Sequence, residues 1–392
     1  MSDKPILIAG GGIGGLAAAL ALAQKNIPTL VLEKAQLLGE IGAGIQLGPN
    51  AFHCFDRLGV GETARQMAVY IDSLRLMDSM ADGEICHIDL GQAFRQRFGN
   101  PYAVVHRGDL HSVFLKACQD HPLVELRVSS EVTGYEQDGK GVVARLAGGE
   151  TMRGAALVGA DGLWSNVRKL MIGDSARVSG HTTYRSVIPT EQMPEDLRWN
   201  AATLWAGPKC HIVHYPLSGW KTFNLVVTYH NDAPEPVAGK PVPVEEVRRG
   251  FGHVCERAQN IISHGRDWHM WVLCDRDPVD DWIDGRVALL GDAAHPMMQY
   301  MAQGACMAME DAVCLADSLS RQAGSIEAGL AGYRDRRVLR TARVQLTSRA
   351  MGDHVYHPAG PHAALRNAIM SGKSQAEWLD ILEWIYGGNG LY

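Results

Sequence analysis

Residues 5–33 read PILIAGGGIGGLAAALALAQKNIPTLVLE. Pro5–Ala9 is a short apolar run, Leu16–Gln24 is dominated by the helix formers Ala and Leu, and Thr29–Leu32 is apolar again. That order is strand, turn, helix, strand: a βαβ unit, whose strands run parallel. In the turn, Gly10-Gly11-Gly12-Ile13-Gly14-Gly15 fits G-x-G-x-x-G, and Glu33 closes the second strand. The glycines allow a tight turn that brings backbone N–H groups against a pyrophosphate. The helix N-terminus adds partial positive charge, and the acid can hold a ribose diol. Alone, such a glycine run also serves to pack a helix closely on a sheet. Between strand and helix, with the acid at this spacing, it points to a dinucleotide without choosing between NAD and FAD.

Two later segments make that choice. Gly159-Ala160-Asp161-Gly162 ends the apolar run Ala155–Ala160, and Gly291-Asp292-Ala293-Ala294-His295-Pro296 follows Val287–Leu290. Parallel strands deliver their C-terminal ends to one edge, so Asp161 and Asp292 should meet in the cleft that Gly10 begins. Carboxylates there can accept hydrogen bonds from the hydroxyls of a flavin's ribityl chain; the plainer role for either is a turn residue or helix cap.

Together with Arg107-Gly108-Asp109-Leu110, these motifs follow one another in an order that resembles the class A flavoprotein aromatic hydroxylases, over nearly the whole chain. The resemblance implies an α/β, para-hydroxybenzoate-hydroxylase-like fold. It has a Rossmann-like FAD-binding domain, an interleaved β-rich substrate domain and a C-terminal helical region. It implies FAD as cofactor, held by Gly10, Gly12, Ile13, Gly15, Glu33, Lys34, Arg107, Val132, Asp161, Asp292, Gly304 and Ala305. In it, Arg107 matches an arginine near the FAD phosphates. Asp161 lies in the motif that touches the flavin and goes with NAD(P)H use, and Asp292 matches the contact to the ribityl chain. Gly304-Ala305 would start a long helix whose N-terminus favours negative charge on the flavin pyrimidine. NADH and O2 are the implied co-substrates. The chain has no second G-x-G-x-x-G, as the family lacks a second Rossmann domain, and the nicotinamide site stays unplaced.

His211-Ile212-Val213-His214-Tyr215 reads as a strand, with His211, Val213 and Tyr215 on one face and His214 on the other. The two histidines are therefore a poor metal pair, and no metal is expected. Met297-Met298-Gln299-Tyr300-Met301 follows the Gly-Asp motif; its methionines suit an apolar pocket or a core equally. Within the family the chain is most similar to hydroxylases of hydroxybenzoates. That likeness assigns His211, Gln299 and Tyr215 to activating and positioning a phenol. The chemistry agrees, because oxygen transfer from a flavin is electrophilic and a phenolate enriches its ortho and para carbons. A histidine with an ordinary pKa of about 6.5 suits a base at neutral pH; a structural histidine in a sheet is the plainer alternative. The implied reaction is hydroxylation of 3-hydroxybenzoate at carbon 6, giving 2,5-dihydroxybenzoate. Decarboxylating hydroxylation of salicylate, a flavin dehydrogenase or oxidase, and a non-catalytic nucleotide binder are the alternatives. No arginine in these motifs reads as a carboxylate clamp, so the acid is expected on Tyr215, Gln299 or a backbone N–H.

The 392 residues, 46% hydrophobic, suffice for two domains or so. A net charge of -6 without a basic tract argues against nucleic acid and against an anionic membrane surface. No apolar run reaches the roughly 18 residues of a membrane span. The start, Met1-Ser2-Asp3-Lys4-Pro5, enters an apolar run that Gly10 breaks too early for a secretory signal, so it reads as mature structure. Eight scattered cysteines without C-x-x-C spacing read as reduced thiols in a cytoplasmic protein. The expected FAD domain is discontinuous, at 1–70, 100–172 and 285–320. The substrate domain takes 71–99 and 173–284, as an antiparallel sheet with one covered face, and helices fill 321–392. Two expected helices are Ala51–Leu58, capped by Asn50, and Leu110–Cys118, capped by Asp109. The family also implies a homodimer.

Overall fold

The computed structural model describes residues 4–39, 42–322 and 324–390; the opening Met1-Ser2-Asp3 lies outside them. Ile6–Ala9 is the centre of a six-stranded sheet in the order 283–284, 287–289, 156–159, 6–9, 29–32, 124–127. All pairs are parallel except the edge hairpin of the first two. The central strands 6–9, 156–159 and 287–289 are short and apolar because both faces are covered, one by helix Ile13–Ala23 and the other by a three-stranded antiparallel sheet of 132–137, 142–146 and 151–154. Helix Ile13–Ala23 is buried along nearly its whole length. Gly14 permits that burial: a Cβ there would stand 3.2 Å from the Cβ of Ala308, on helix Gly304–Arg321.

A second sheet has eight strands, in the order 240–241, 269–275, 177–189, 222–230, 210–217, 201–207, 73–78, 83–89. It is antiparallel apart from the parallel pairing of 201–207 with 73–78. Segment 73–89 thus joins a sheet whose other strands begin only at residue 177. Both faces are covered, not one. Trp205, Ile212, Phe223, Leu225 and Val227 pack on one side with Val247, Ile261 and Ile262 of two short helices. The other side closes over a cavity.

The two capping expectations fail for the same reason. The helices run Pro49–Arg57 and Arg107–Gln119, behind the N-caps Gly48 and His106. Pro49 has no N–H to satisfy and so starts its helix early. Asn50 is freed for other work: its Nδ2 donates to Gln303 Oε1 (2.9 Å) and Glu310 Oε1 (2.7 Å). Arg334, Arg336, Arg337, Arg340 and Arg343 lie on one helix, Ile326–Met351. Among the described residues no helix is long and apolar enough to cross a membrane.

Candidate active site

The edge of the parallel sheet and the inner face of the eight-stranded sheet border one cavity of about 870 Å³. Gly10 has φ +108°, and a Cβ on it would stand 2.4 Å from the Ala160 carbonyl oxygen. Only glycine fits there, and the backbone stays bare toward the cavity. Gly10, Gly12, Ile13, Glu33 and Lys34 line this end, with Arg107 and Val132 beside them. Gly15 does not. A Cβ on it would meet the Gly10 oxygen at 2.0 Å, so it serves the close crossing of helix and turn. Glu33 is held by the N–H groups of Gly11 (2.7 Å) and Ala35 (2.8 Å).

The two aspartates differ. Asp161 accepts from the N–H groups of Asn166 (2.8 Å) and Val167 (3.3 Å) and from Ser165 Oγ, so it caps helix Asn166–Met171 while lining the cavity. Asp292 is exposed in the cavity with no hydrogen-bonded partner among the described residues, 3.7 Å from where a Gly304 Cβ would be. Gly304 and Ala305 open a helix that no side chain caps, and the helix starting at Ile13 is equally uncapped. Two helix N-termini thus offer free N–H groups and positive dipole ends to the cavity. The bare cradle, the two helix ends and the free carboxylate fit a phosphate-bearing dinucleotide with a polyol chain.

The turn carrying Asp292 is fixed from behind. Asp311 accepts from the Gly291 N–H (3.0 Å), pairs with His295 Nε2 (2.5 Å) and binds Arg337 Nε (2.7 Å). Arg337 also binds Glu310 (2.6 Å), which Arg340 pairs in turn (2.7 Å). Burial raises the Asp311 carboxyl, but His295 and Arg337 outweigh it and hold it at about 2. The Gly-Asp-Ala-Ala-His-Pro motif therefore includes its own anchor.

At the other end, strand register assembles the site. Arg185 pairs with Val226 and Val226 with Val213; Thr183 pairs with Thr228 and Thr228 with His211. All six share one face, two residues apart along each strand, with Leu204 and Leu74 continuing it. His214 takes the opposite face and accepts from Trp205 Nε1 (3.2 Å), as the alternation requires. His211, Tyr215 and Gln299 all line the cavity, as do Met297, Met298 and Met301. No group of three or more metal-ligating side chains occurs among the described residues.

Three details depart from the sequence reading. Gln299 is already engaged: Nε2 donates to Thr183 Oγ1 (3.1 Å) and Thr228 Oγ1 (3.2 Å), and Oε1 accepts from Arg185 (3.0 Å). His211 is not a histidine of ordinary basicity. Burial, and then His357 and His181 nearby, push its pKa well below 6.5. Its Nδ1 is 2.8 Å from His357 Nε2, which leaves Nε2 as the nitrogen open to a ligand. Finally, the cavity does hold an arginine. Arg185 lines it with Gln299 as its hydrogen-bond partner and the Trp271 ring 5.7 Å away, and with no carboxylate bonded to it among the described residues. Burial lowers its pKa, an unmatched cation waiting for an anion. The only local signal was an arginine inside the β-branched run Thr182–Ile188. Tyr215 packs its ring where a Gly44 side chain would be, 2.5 Å from that Cβ position, and burial raises its pKa.

A nucleotide cradle and an inward-facing sheet on one cavity define a flavoprotein hydroxylase, and the chain belongs to this FAD-binding family: the FAD binding domain matches residues 3–347. FAD is accordingly its cofactor. More particularly, it is 56% identical over 383 residues to 3-hydroxybenzoate 6-hydroxylase 1 of Aquipseudomonas alcaligenes, covering 97% of both chains. It is 48% identical to the 3-hydroxybenzoate 6-hydroxylase of Polaromonas naphthalenivorans, over 99% of this chain and 97% of that one. Among solved structures, a salicylate hydroxylase substrate complex superposes with TM-score 0.82 at 25% identity, over 98% of this chain and 96% of that one. Klebsiella pneumoniae HpxO complexed with FAD and uric acid superposes with TM-score 0.85 at 24% identity, over 99% and 98%, which shows the shared fold.

Proposed function

We propose that this chain hydroxylates 3-hydroxybenzoate at carbon 6, with NADH and O2 as co-substrates, giving 2,5-dihydroxybenzoate. The observation that carries this is one sheet face presenting His211 and an unmatched Arg185 to the cavity that the glycine cradle borders. The names of the two curated relatives support the substrate.

When bound, FAD supplies the activated oxygen, drawing electrons from NADH. Its holders are Gly10, Gly12, Ile13, Glu33, Lys34, Arg107, Val132, Asp161, Asp292, Gly304 and Ala305, all bordering the cavity. Arg185 takes the substrate carboxylate, and Gln299 holds the guanidinium in place. Arg185 and His211 stand one row, roughly 7 Å, and two strands, roughly 10 Å, apart on the sheet face, and the long arginine side chain closes that span so that the two can meet the two meta substituents of one ring. Leu74, Leu204, Val213 and Val226 give the ring an apolar wall and keep water from it. His211 Nε2 removes the phenolic proton, and the phenolate enriches carbon 6, its para position. Salicylate attacked ortho to its phenolate, at the carbon bearing its carboxylate, would instead lose CO2. Tyr215, which lines the cavity, positions the substrate oxygen. The reading includes a cytoplasmic location and a homodimer.

The experiment is to incubate the yellow holoenzyme with NADH, O2 and either acid, then identify the product and measure CO2. We expect 2,5-dihydroxybenzoate from 3-hydroxybenzoate without CO2. Catechol and CO2 from salicylate, with 3-hydroxybenzoate untouched, reassigns the substrate.

A further inference from the structure

Behind His211 lies a file of histidines that the hydroxylation chemistry above does not use. Register puts His181 directly across from His230, two residues beyond the Thr183–Thr228 pair and on the same face as His211. A fourth histidine comes from a distant element. After helix Ile326–Met351 the chain makes a wide turn, Gly352–Tyr356, closed by His357 N–H to the Gly352 oxygen (3.0 Å). The Lys209 N–H donates to the His357 oxygen (3.3 Å), tying this turn to the strand start. The His357 ring thereby enters between His211 and His181. It stacks on His211 with centroids 5.0 Å apart and meets His181 edge-on at 5.1 Å. His181 and His230 follow at 4.3 Å, and His230 Nε2 lies 3.2 Å from Asp232 Oδ1. His211 and His181 are buried (1% and 7% exposed) and His357 is half-buried, whereas the file ends in the open, with the side chains of His230 and Asp232 33% and 79% exposed.

We propose that His357, with His181 and His230 behind it, takes the phenolic proton from His211 and delivers it to solvent beside Asp232. This rests on the reading of His211 as base. The tautomers follow from the geometry. With Nε2 free to accept, neutral His211 carries its proton on Nδ1 and donates it to His357 Nε2, so neutral His357 carries its own on Nδ1. As the phenol O–H breaks, a bond forms from its proton to His211 Nε2. The Nδ1 proton passes to His357 Nε2, and the His357 Nδ1 proton passes through a bridging water to His181 Nε2, since His181 Nδ1 is bonded to Tyr300; the same Nε2 then releases it toward His230 when the ring or the water turns. The phenolate stays in the cavity and one proton reaches water. The ring spacings beyond His357 are ones that a ring turn or one bridging water closes.

The surroundings favour transit over storage. Tyr300 and Tyr356 flank the His211 ring at 5.6 and 4.8 Å, and the Tyr300 hydroxyl is bonded to His181 Nδ1. The charged groups acting on His181 are Arg177, Asp232 and Asp275. Burial and mutual repulsion depress the protonated forms of His211, His357 and His181 alike, so none of the three holds the proton.

The test is stopped-flow mixing of FAD-loaded enzyme with 3-hydroxybenzoate in weak buffer with a pH indicator, reading the proton burst. His357→Gln keeps an amide beside His211 but breaks the relay. We expect its burst to slow by about 10-fold or more, with FAD content and substrate affinity unchanged. His357→Ala should slow likewise and recover with added imidazole, which a packing role would not produce; His230→Gln should slow it too. A wild-type burst rate in His357→Gln, or a slow His357→Ala enzyme that imidazole does not restore, overturns the relay. His211→Gln separates the two readings. Loss of its burst keeps the base whatever the His357 variants do, whereas an intact burst removes both base and relay.

Discussion

At one end of the cavity a ligand meets backbone; at the other it meets side chains. The nucleotide cradle consists of glycines whose missing Cβ atoms leave room, and of two helix N-termini that no side chain caps. Its parts come from turns a few residues long. The substrate end consists of Arg185, Thr183, Thr228 and His211, which meet because strands far apart in sequence share a register, and of Gln299, bonded to the first three from the short turn Gln299–Met301. The first kind of site is written in contiguous letters, while the second exists only after the sheet has formed. Substitutions should therefore act in opposite ways. At the cradle, adding an atom does the damage; at the sheet face, removing a functional group does.

The largest effect is expected from the added atom. Gly10→Val places a branched side chain where even a Cβ would stand 2.4 Å from the Ala160 oxygen, at a φ that disfavours every L-residue. This variant should purify without FAD, checked by the absence of flavin absorbance in folded protein. A yellow Gly10→Val enzyme would break the idea that bare backbone makes this end.

Next is the removed base. His211→Gln should lower the hydroxylation rate by about 100-fold or more while the protein keeps its flavin, since His211 belongs to the other end. Parallel measurement of product formation and H2O2 tests this: NADH oxidation should persist and yield peroxide in place of product. Full coupling at the wild-type rate would remove the base assignment.

Arg185→Met should act on binding more than on rate. A charge-assisted hydrogen bond contributes about 1.5–3 kcal/mol, so the KM for 3-hydroxybenzoate should rise about 10- to 150-fold. The diagnostic comparison is 3-hydroxybenzyl alcohol, which lacks the carboxylate and should lose its disadvantage in the variant. If the variant still prefers the acid as strongly as wild type, the carboxylate lies elsewhere. Asp292→Ala, at the nucleotide end, should weaken FAD by about 10-fold through one lost hydrogen bond, measured by titrating the apoprotein.

The same division decides what could be read from the sequence. The glycine run, Glu33 and the two Gly-Asp strand ends gave the parallel sheet and the cradle, because turns, helix starts and strand ends are local. Period-2 alternation placed His211 and Tyr215 together and sent His214 away, again a local rule. Arg185 escaped because an arginine in a β-rich stretch looks like any half-exposed strand residue until its register with Val226 is known. His357 escaped further still, being 146 residues from its partner in a turn without a motif. The capping errors at Asn50 and Asp109 were local too. Both are polar residues just before a helical pattern, but Pro49 and the strand ending at His106 start the helices earlier.

At neutral pH the smallest effect is expected from acid, and it grows differently at the two ends. The nucleotide end buries a charge pair, Asp311 with Arg337. The substrate sheet buries histidines in neutral form: His214 and His357 are pushed down to about 3 and His181 to about 4, chiefly by burial, and His211 well below its ordinary value. A histidine whose folded pKa lies below its unfolded value of about 6.5 binds its proton first in the unfolded chain. Its stabilisation is therefore complete above about pH 6.5 and is lost steadily toward the folded value, at about 1.4 kcal/mol per pH unit for each such group. Asp311, held at about 2 in the fold, keeps its contribution down to its unfolded value of about 3.9 and loses it only between there and its folded value. Acid should thus loosen the substrate sheet two pH units or so before it reaches the cradle. Hydrogen exchange from pH 7 to 4, corrected for intrinsic rates, would follow strands 177–189 and 210–217 against strands 6–9 and 29–32. Protection should fall first in the former pair while the flavin stays bound. Simultaneous loss in both pairs would show that the two ends unfold as one unit, and the division between backbone-built and side-chain-built halves would then describe ligand contact without describing stability.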